Sequence, residues 1–407
     1  VGNFPIQVRA KDAKSTKTIG VIVSNYLNRP VDPPPPETAD YYVATAANGG
    51  SDSNPGTISQ PFLTINKATS VMTSGQLCYV RAGTFAERIT SLASGGGSWA
   101  TATRIFGYPS ESVTIQPGSG SACINFDSVT ENWLHFKNLI LDAVNITSGV
   151  PAVKLRGTNV HHVRLEDIEA KNAPGLGSGV LVNAPSHHCE IIGGRYHDNG
   201  LIVENSAAYG MYIESADNLI DGCEVDANGG YGIHIYSSTG GADNNVVRRC
   251  RVHNNSVTAI FARSGITAQN GTGTLIYSNL IYDEPGEAGI YISSGAVSVK
   301  IYHNTVYSNT ASGIKLRNAC DLTEIINNIT FSNGTNIDRS GDTNTTQSNN
   351  VTTDPSFVDG ATPPYNFHLQ SGSAARNVGT NLQATVPTDY DGVAHDTVPD
   401  VGAYEFV

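Results

Sequence analysis

The chain is short of charge. Asp, Glu, Lys and Arg make up only 15% of its 407 residues, against a usual ~25%. That excludes a surface built from long Glu/Lys helices. Hydrophobic residues are also sparse at 39%, so much of the polarity must come from Asn, Ser, Thr and the 42 Gly. Those residues suit short strands joined by many turns. No apolar run approaches the ~18 residues that a membrane-spanning helix needs. No Lys/Arg cluster exists and the net charge is −12, which excludes a nucleic-acid binder. Six cysteines at irregular spacing fit neither a small disulfide scaffold nor a CxxC zinc site. Val1 opens no charged-then-apolar signal segment, so an exported form is expected to have lost its leader already. Apolar residues recur regularly through the middle of the chain, which excludes general disorder.

Two alternating runs, Phe4 to Ala10 and Thr18 to Val23, flank the polar stretch Lys11 to Lys17 and predict a β-hairpin over residues 1–28. Two strands are too few to stand alone. They are expected to belong to a preceding β-sandwich domain or to dock on the main body. Residues 29–40 include Pro33 to Pro36, a stiff spacer and the clearest domain boundary. Residues 41–407 form the main domain. A short helix over Thr64 to Met72, apolar at Ile65, Ala68, Val71 and Met72, is expected to cap its N-terminal end.

From Gly179 to about Asn333 the sequence repeats. A small residue precedes an apolar-x-apolar triplet at Gly179, Gly210, Gly232, Ala259, Gly289 and Gly313. A second short strand follows each time, and then an Asn: Asn172, Asn199, Asn228, Asn255, Asn309 and Asn333, with Glu284 in the remaining slot. A period of this length made only of strands and turns means a solenoid. Ile and Val with a turn Asn, rather than Leu in fixed slots, predict an all-β parallel β-helix whose equivalent slots stack into ladders. Cys223 and Cys250 fall in one slot that elsewhere carries Asn138, Asn279, Asn304 and Asn328. Two stacked inward thiols are expected there, with a disulfide as the alternative.

Tyr41 to Ala44, Gly50 to Thr57, Gln60 to Ile65 and Tyr79 to Phe85 resemble the opening coils of secreted right-handed parallel β-helix proteins of the pectate-lyase-like class. Asp354-Pro355-Ser356-Phe357, Phe367-His368-Leu369 and Asp400 to Glu405 resemble their tail. The resemblance spans residues 41–407 and implies a right-handed solenoid, an extracellular location and a carbohydrate partner. It does not single out one reaction, because this scaffold hosts lyases, hydrolases, epimerases and surface proteins.

Alternate side chains of a strand point in and out. With the apolar positions inward, two outward columns emerge. One holds Lys154, Leu181, Tyr212, His234, Phe261, Tyr291 and Lys315. The other holds Arg156, Asn183, Glu214, Tyr236, Arg263, Ser293 and Arg317. Coils ~5 Å apart match the length of a sugar unit. Aromatic rings can serve as platforms for sugars, and Arg can grip carboxylates.

A lyase acting on a uronate polymer needs its carboxylate neutralised, a base at the adjacent carbon and an acid for the leaving oxygen. His234 is assigned as base and Tyr236 or Tyr212 as acid. Arg263, Arg317, Arg156, Lys315, Tyr291 and Phe261 are assigned to substrate binding. No Asp cluster lies on these columns, so calcium is compatible but not implied, and no metal ligands are assigned. Asp226 and Asp198 read as turn residues. A glycoside hydrolase would instead use Glu214 with a loop carboxylate from Asp217, Asp243, Glu284 or Glu287. The pairs His161-His162 and His187-His188 lie one coil apart. Since neighbours on a strand point opposite ways, they read as exposed turn residues.

The expected protein is a monomeric, extracellular part of a multidomain chain that degrades an acidic polysaccharide by β-elimination. Hydrolysis through Glu214 and non-catalytic carbohydrate binding are the alternatives.

Overall fold

The computed structural model describes residues 39–127, 131–201, 208–258 and 263–407. The hairpin of residues 1–28 and most of the proline-rich segment lie outside them. Within them, three long parallel sheets of 12, 10 and 9 strands run side by side. Each coil gives one strand to each sheet, as in Ser178–Asn183, Glu190–Ile192 and Arg195–His197, followed by Tyr209–Ile213, Leu219–Asp221 and Glu224–Asp226. This is a right-handed parallel β-helix. We name the sheets by what they carry outward: the tyrosine sheet (nine strands), the histidine sheet (twelve) and the charged sheet (ten).

The core is a set of apolar ladders. Val153, Val180, Met211, Ile233, Ile266, Ile290 and Ile314 stack through the tyrosine sheet in consecutive registered pairs, all fully buried. The Asn ladder runs Asn199, Asn228, Asn255, Glu284, Asn309 and Asn333, buried at all but the last. Each backbone N–H donates to the side-chain oxygen of the next member at 2.9–3.3 Å. It satisfies turn groups that no strand partner reaches. Asn172 lies one residue ahead of this ladder, where Ala173 takes the slot and donates to Asn199. Glu284 is fully buried, and burial raises its carboxyl to about 8. It is therefore an internal ladder member rather than a groove carboxylate.

The small residue of the repeat has a steric cause. A Cβ on Gly210 would stand 2.7 Å from the Asn228 amide nitrogen and 2.5 Å from Val225. A Cβ on Gly265 would stand 2.9 Å from the Gly289 carbonyl. Gly265 shows where the expected register fails. The strand of that coil is Ser264–Gln269, with Ile266 opposite Ile233, not the Ala259 to Ala262 stretch, which lies outside the described residues. Gly265-Ile266-Thr267-Ala268 carries the same pattern, and the true glycine fits the tight slot.

The helix forms over Ile65–Val71, with the Thr64 hydroxyl accepting from the Lys67 N–H at 3.0 Å. Its Ile65 and Ala68 enter the core beside Val43 and Phe62. At the other end Phe357–Asp359 and Asn366–Leu369 pair antiparallel. Phe357, Phe367, Val401 and Tyr404 pack against Tyr282 and Ile329, so the tail covers the late coils of the charged sheet. All six cysteines are free and buried, Cys223 and Cys250 included. The Cys250 N–H donates to Asn279 in the next coil, as expected for their slot. Asn138 lies one residue outside it, at φ +54°, while Leu139 occupies the slot.

Candidate functional site

The tyrosine sheet brings four of the expected site residues together. Tyr212 and His234 are registered partners, and Tyr236 lies two residues further along the same strand as His234. Glu214 directly follows the strand of Tyr212 and accepts a hydrogen bond from the Asn183 amide. Two further rings join them. Tyr209 and Tyr231 are registered partners, each preceding the small slot of its coil. The repeated Tyr-Gly dipeptide at 209 and 231 was the sequence signal for them.

These rings are mutually parallel. His234 lies 4.3 Å from Tyr231, 5.2 Å from Tyr212, 5.3 Å from Tyr209 and 5.5 Å from Tyr236, with interplanar angles of 3–19°. Register places ring above ring at the coil spacing, so faces are spent on one another. The expected flat platforms for sugars are therefore absent from this cluster; it offers edges, hydroxyls and ring nitrogens instead.

His234 is only 4% exposed. Its Nε2–H donates to the Gln269 side-chain oxygen at 2.8 Å, and Gln269 in turn donates to Ser293 at 2.6 Å. That bond leaves the lone pair on Nδ1, which is buried without a hydrogen-bond partner. Burial pulls the imidazole down to about 4, and Arg263 adds to the effect while the Gln269 bond opposes it. His234 is thus neutral over the ordinary pH range. Burial and the hydrogen bond to Glu214 push the Tyr212 phenol up. Burial also raises Tyr209 and Tyr231, with Arg263 working against it.

The expected binding residues are placed differently. Arg263 is not in the outward column, because Gln269 holds that slot opposite Tyr236. It reaches the cluster from the start of its strand, its Nη1 donating to the Tyr231 hydroxyl at 3.3 Å. Phe261 lies outside the described residues, and the fully buried Thr267 stands in its expected slot between His234 and Tyr291. Tyr291 and Lys315 are registered neighbours, as expected. The flanking cations already have internal carboxylates. Lys315 pairs with Glu287 at 2.9 Å, Arg317 with Asp338 at 2.9 Å, and Arg156 and Lys154 with Asp127 at 2.6 and 2.7 Å. These columns therefore carry less uncompensated positive charge than their sequence alone suggests.

The charged sheet was missed as a surface of interest. One outward row alternates in sign through Glu169, Arg195, Glu224 and Arg251. The next runs Lys171, His197, Asp226 and His253. Asp198 is a turn residue at φ +55°, but Asp226 is a strand residue, gripped by Arg195 through two bonds of 2.8 and 2.6 Å. Alternation was visible in the sequence once the second strand of each coil was aligned. Among the described residues, Glu224, Asp226 and His253 place ligand atoms within 4.8 Å of one another. They do not suit calcium, which takes 6–8 oxygens. Only two of the three groups offer oxygen, and Arg195 occupies both oxygens of Asp226.

Residues 178–357 match the family model for the right-handed beta helix region. No curated protein matches the chain by sequence. Solved structures of similar fold include three of note. Pectate lyase Pel9A shares 16% identity, with a TM-score of 0.56 over 90% of this chain and 96% of that one. A rhamnogalacturonan lyase shares 16%, with 0.50 over 88% and 95%. ORF18 of Geobacillus virus E2 shares 18%, with 0.53 over 77% and 61%. At these identities the likeness is one of fold. No helix of the described residues is long and apolar enough to cross a membrane.

Proposed function

We propose that the chain cleaves an acidic polysaccharide by β-elimination on the tyrosine sheet. The observation that carries this reading is the neutral His234, whose Nδ1 lone pair is buried and unpartnered among four tyrosines. An unmet buried acceptor costs roughly 1–3 kcal/mol, and such groups call for a reason. In this reading the polymer displaces the cover over His234. Nδ1 then takes the proton from the carbon beside the uronate carboxylate, and the Tyr236 or Tyr212 hydroxyl protonates the leaving oxygen. Arg263, beside Tyr231, supplies positive charge for the substrate carboxylate. That two structures of this fold are named as lyases, of pectate and of rhamnogalacturonan, is in keeping with the reading. On this reading the protein acts outside the cell.

The test is incubation with pectate, alginate and other uronate polymers, with and without calcium, while following the near-ultraviolet absorbance of unsaturated uronate ends. A rise is expected. No rise with any of them overturns β-elimination.

A second reading keeps Glu214 as one carboxyl of a glycoside hydrolase; Glu287 does not serve as its partner, because it lies three coils on, where it pairs with Lys315. Hydrolysis through Glu214 would release reducing ends without unsaturated product, and Glu214→Gln would abolish it. Binding with no product would instead mark a carbohydrate-binding module.

A further inference from the structure

The histidine sheet holds two pairs of adjacent imidazoles that the proposed reaction does not use. His161 and His187 form a parallel bridge between adjacent coils. His162 and His188, which follow them, both take left-handed backbone, at φ +52° and +53°. In an extended strand, neighbouring side chains point to opposite faces. The left-handed residue cancels that alternation, so each neighbour pair converges. The two Nδ1 atoms stand 2.8 Å apart in His161-His162 and 2.7 Å apart in His187-His188. The expectation that these neighbours point apart is overturned, because the second residue of each pair takes left-handed backbone, His162 doing so at the start of the strand His161–Glu166.

At such a distance the pair of nitrogens holds either one shared proton or one metal ion. We propose that these neighbour pairs are chelates for a divalent transition metal of tetragonal preference, copper(II) first, with His187-His188 the stronger. The geometry selects the ion. With metal–nitrogen bonds of ~2.0 Å, nitrogens this close subtend about 85°, near the cis angle of a tetragonal site. A tetrahedral zinc site would want them ~3.3 Å apart.

The rings of the two pairs are 5.2 and 5.1 Å apart between coils, too far for one ion to bond all four. Each pair is therefore its own chelate, and repulsion between two dications weakens the second. Three features favour His187-His188. His188 is exposed. His162 is stacked between Trp133 at 3.9 Å and His188. Asp217, on the next coil, places negative charge near His187. The site lies on a different sheet from the tyrosine cluster and does not depend on the proposed reaction.

The test uses the full chain, stripped of metal, titrated with copper(II) by calorimetry and followed by electron paramagnetic resonance. One tight event with a tetragonal spectrum and coupling to two nitrogens is expected, followed by a weaker event. The His187→Gln/His188→Gln double variant should lose at least 100-fold in the tight event. The His161→Gln/His162→Gln variant should lose the weaker one. Unchanged tight binding in the first variant overturns the proposal. So does a wild-type copper spectrum without nitrogen coupling, a readout that does not depend on any variant folding.

Discussion

The tyrosine and charged sheets belong to the same coils and follow the same stacking rule, yet their outward surfaces end in opposite states. In register, every outward side chain meets the occupant of its own slot one coil away. On the charged sheet those occupants alternate in sign, and the bonds run between its two rows, Glu169 to Lys171, Arg195 to Asp226 and Glu224 to His253. At two registered positions of the tyrosine sheet, Tyr209–Tyr231 and Tyr212–His234, both occupants are rings, so ring stacks on ring and a histidine nitrogen is left unpaired. A surface whose groups already satisfy one another has little left for a ligand. A stack that leaves an unmet acceptor has something to offer. This contrast, more than the number of charges on either face, locates the candidate site.

The largest expected effect is on turnover. His234→Gln should lower the rate on an acidic polymer by about 10²- to 10⁴-fold, the usual share of a general base. Glu224→Gln on the charged sheet should leave the rate within about twofold. Equal losses would erase the contrast.

Next is a pH effect. The folded His234 titrates at about 4 and an ordinary histidine at 6.5. Between those values the unfolded chain binds a proton that the folded one refuses, so stability falls as pH drops through this window. The full loss is about 3 kcal/mol. Urea melts at pH 7 and pH 4.5 should show a shallower fall for His234→Gln than for the parent chain. His162, held at about 4, and His303, at about 3, contribute the same slope to both proteins.

Asp226→Asn should cost about 1–2 kcal/mol in the same melts, since it weakens a pair of charge-assisted hydrogen bonds whose Arg195 side chain is half exposed. The smallest effect belongs to Lys171→Ala. Its bond to Glu169 lies near the surface and should be worth no more than ~0.5 kcal/mol.

The solenoid was legible because it is written several times over. Glycine against the Asn ladder recurs in coil after coil, and a backbone that must pass within 3 Å of an amide leaves one residue type for the slot. The register slip at Ala259 arose where two stretches a few residues apart carry the same small-apolar-x-apolar pattern, and only the tighter steric demand separates them. The cluster of Tyr212, Glu214, His234 and Tyr236 followed from alternation alone. What alternation could not reveal was contact between slots: that rings would spend their faces on each other, or that Asp127, Glu287 and Asp338 would reach the flanking cations. The histidine pairs were misjudged for a related reason. The period-two rule holds for extended backbone, and His162 and His188 sit where the backbone leaves the extended region.

The most direct test of the account is a crystal structure of the chain with a bound acidic oligosaccharide. The account predicts sugar along Tyr212, Tyr236 and Arg263, with a uronate carbon facing Nδ1 of His234. Sugar lying instead along Arg195 and Arg251 on the charged sheet would contradict it.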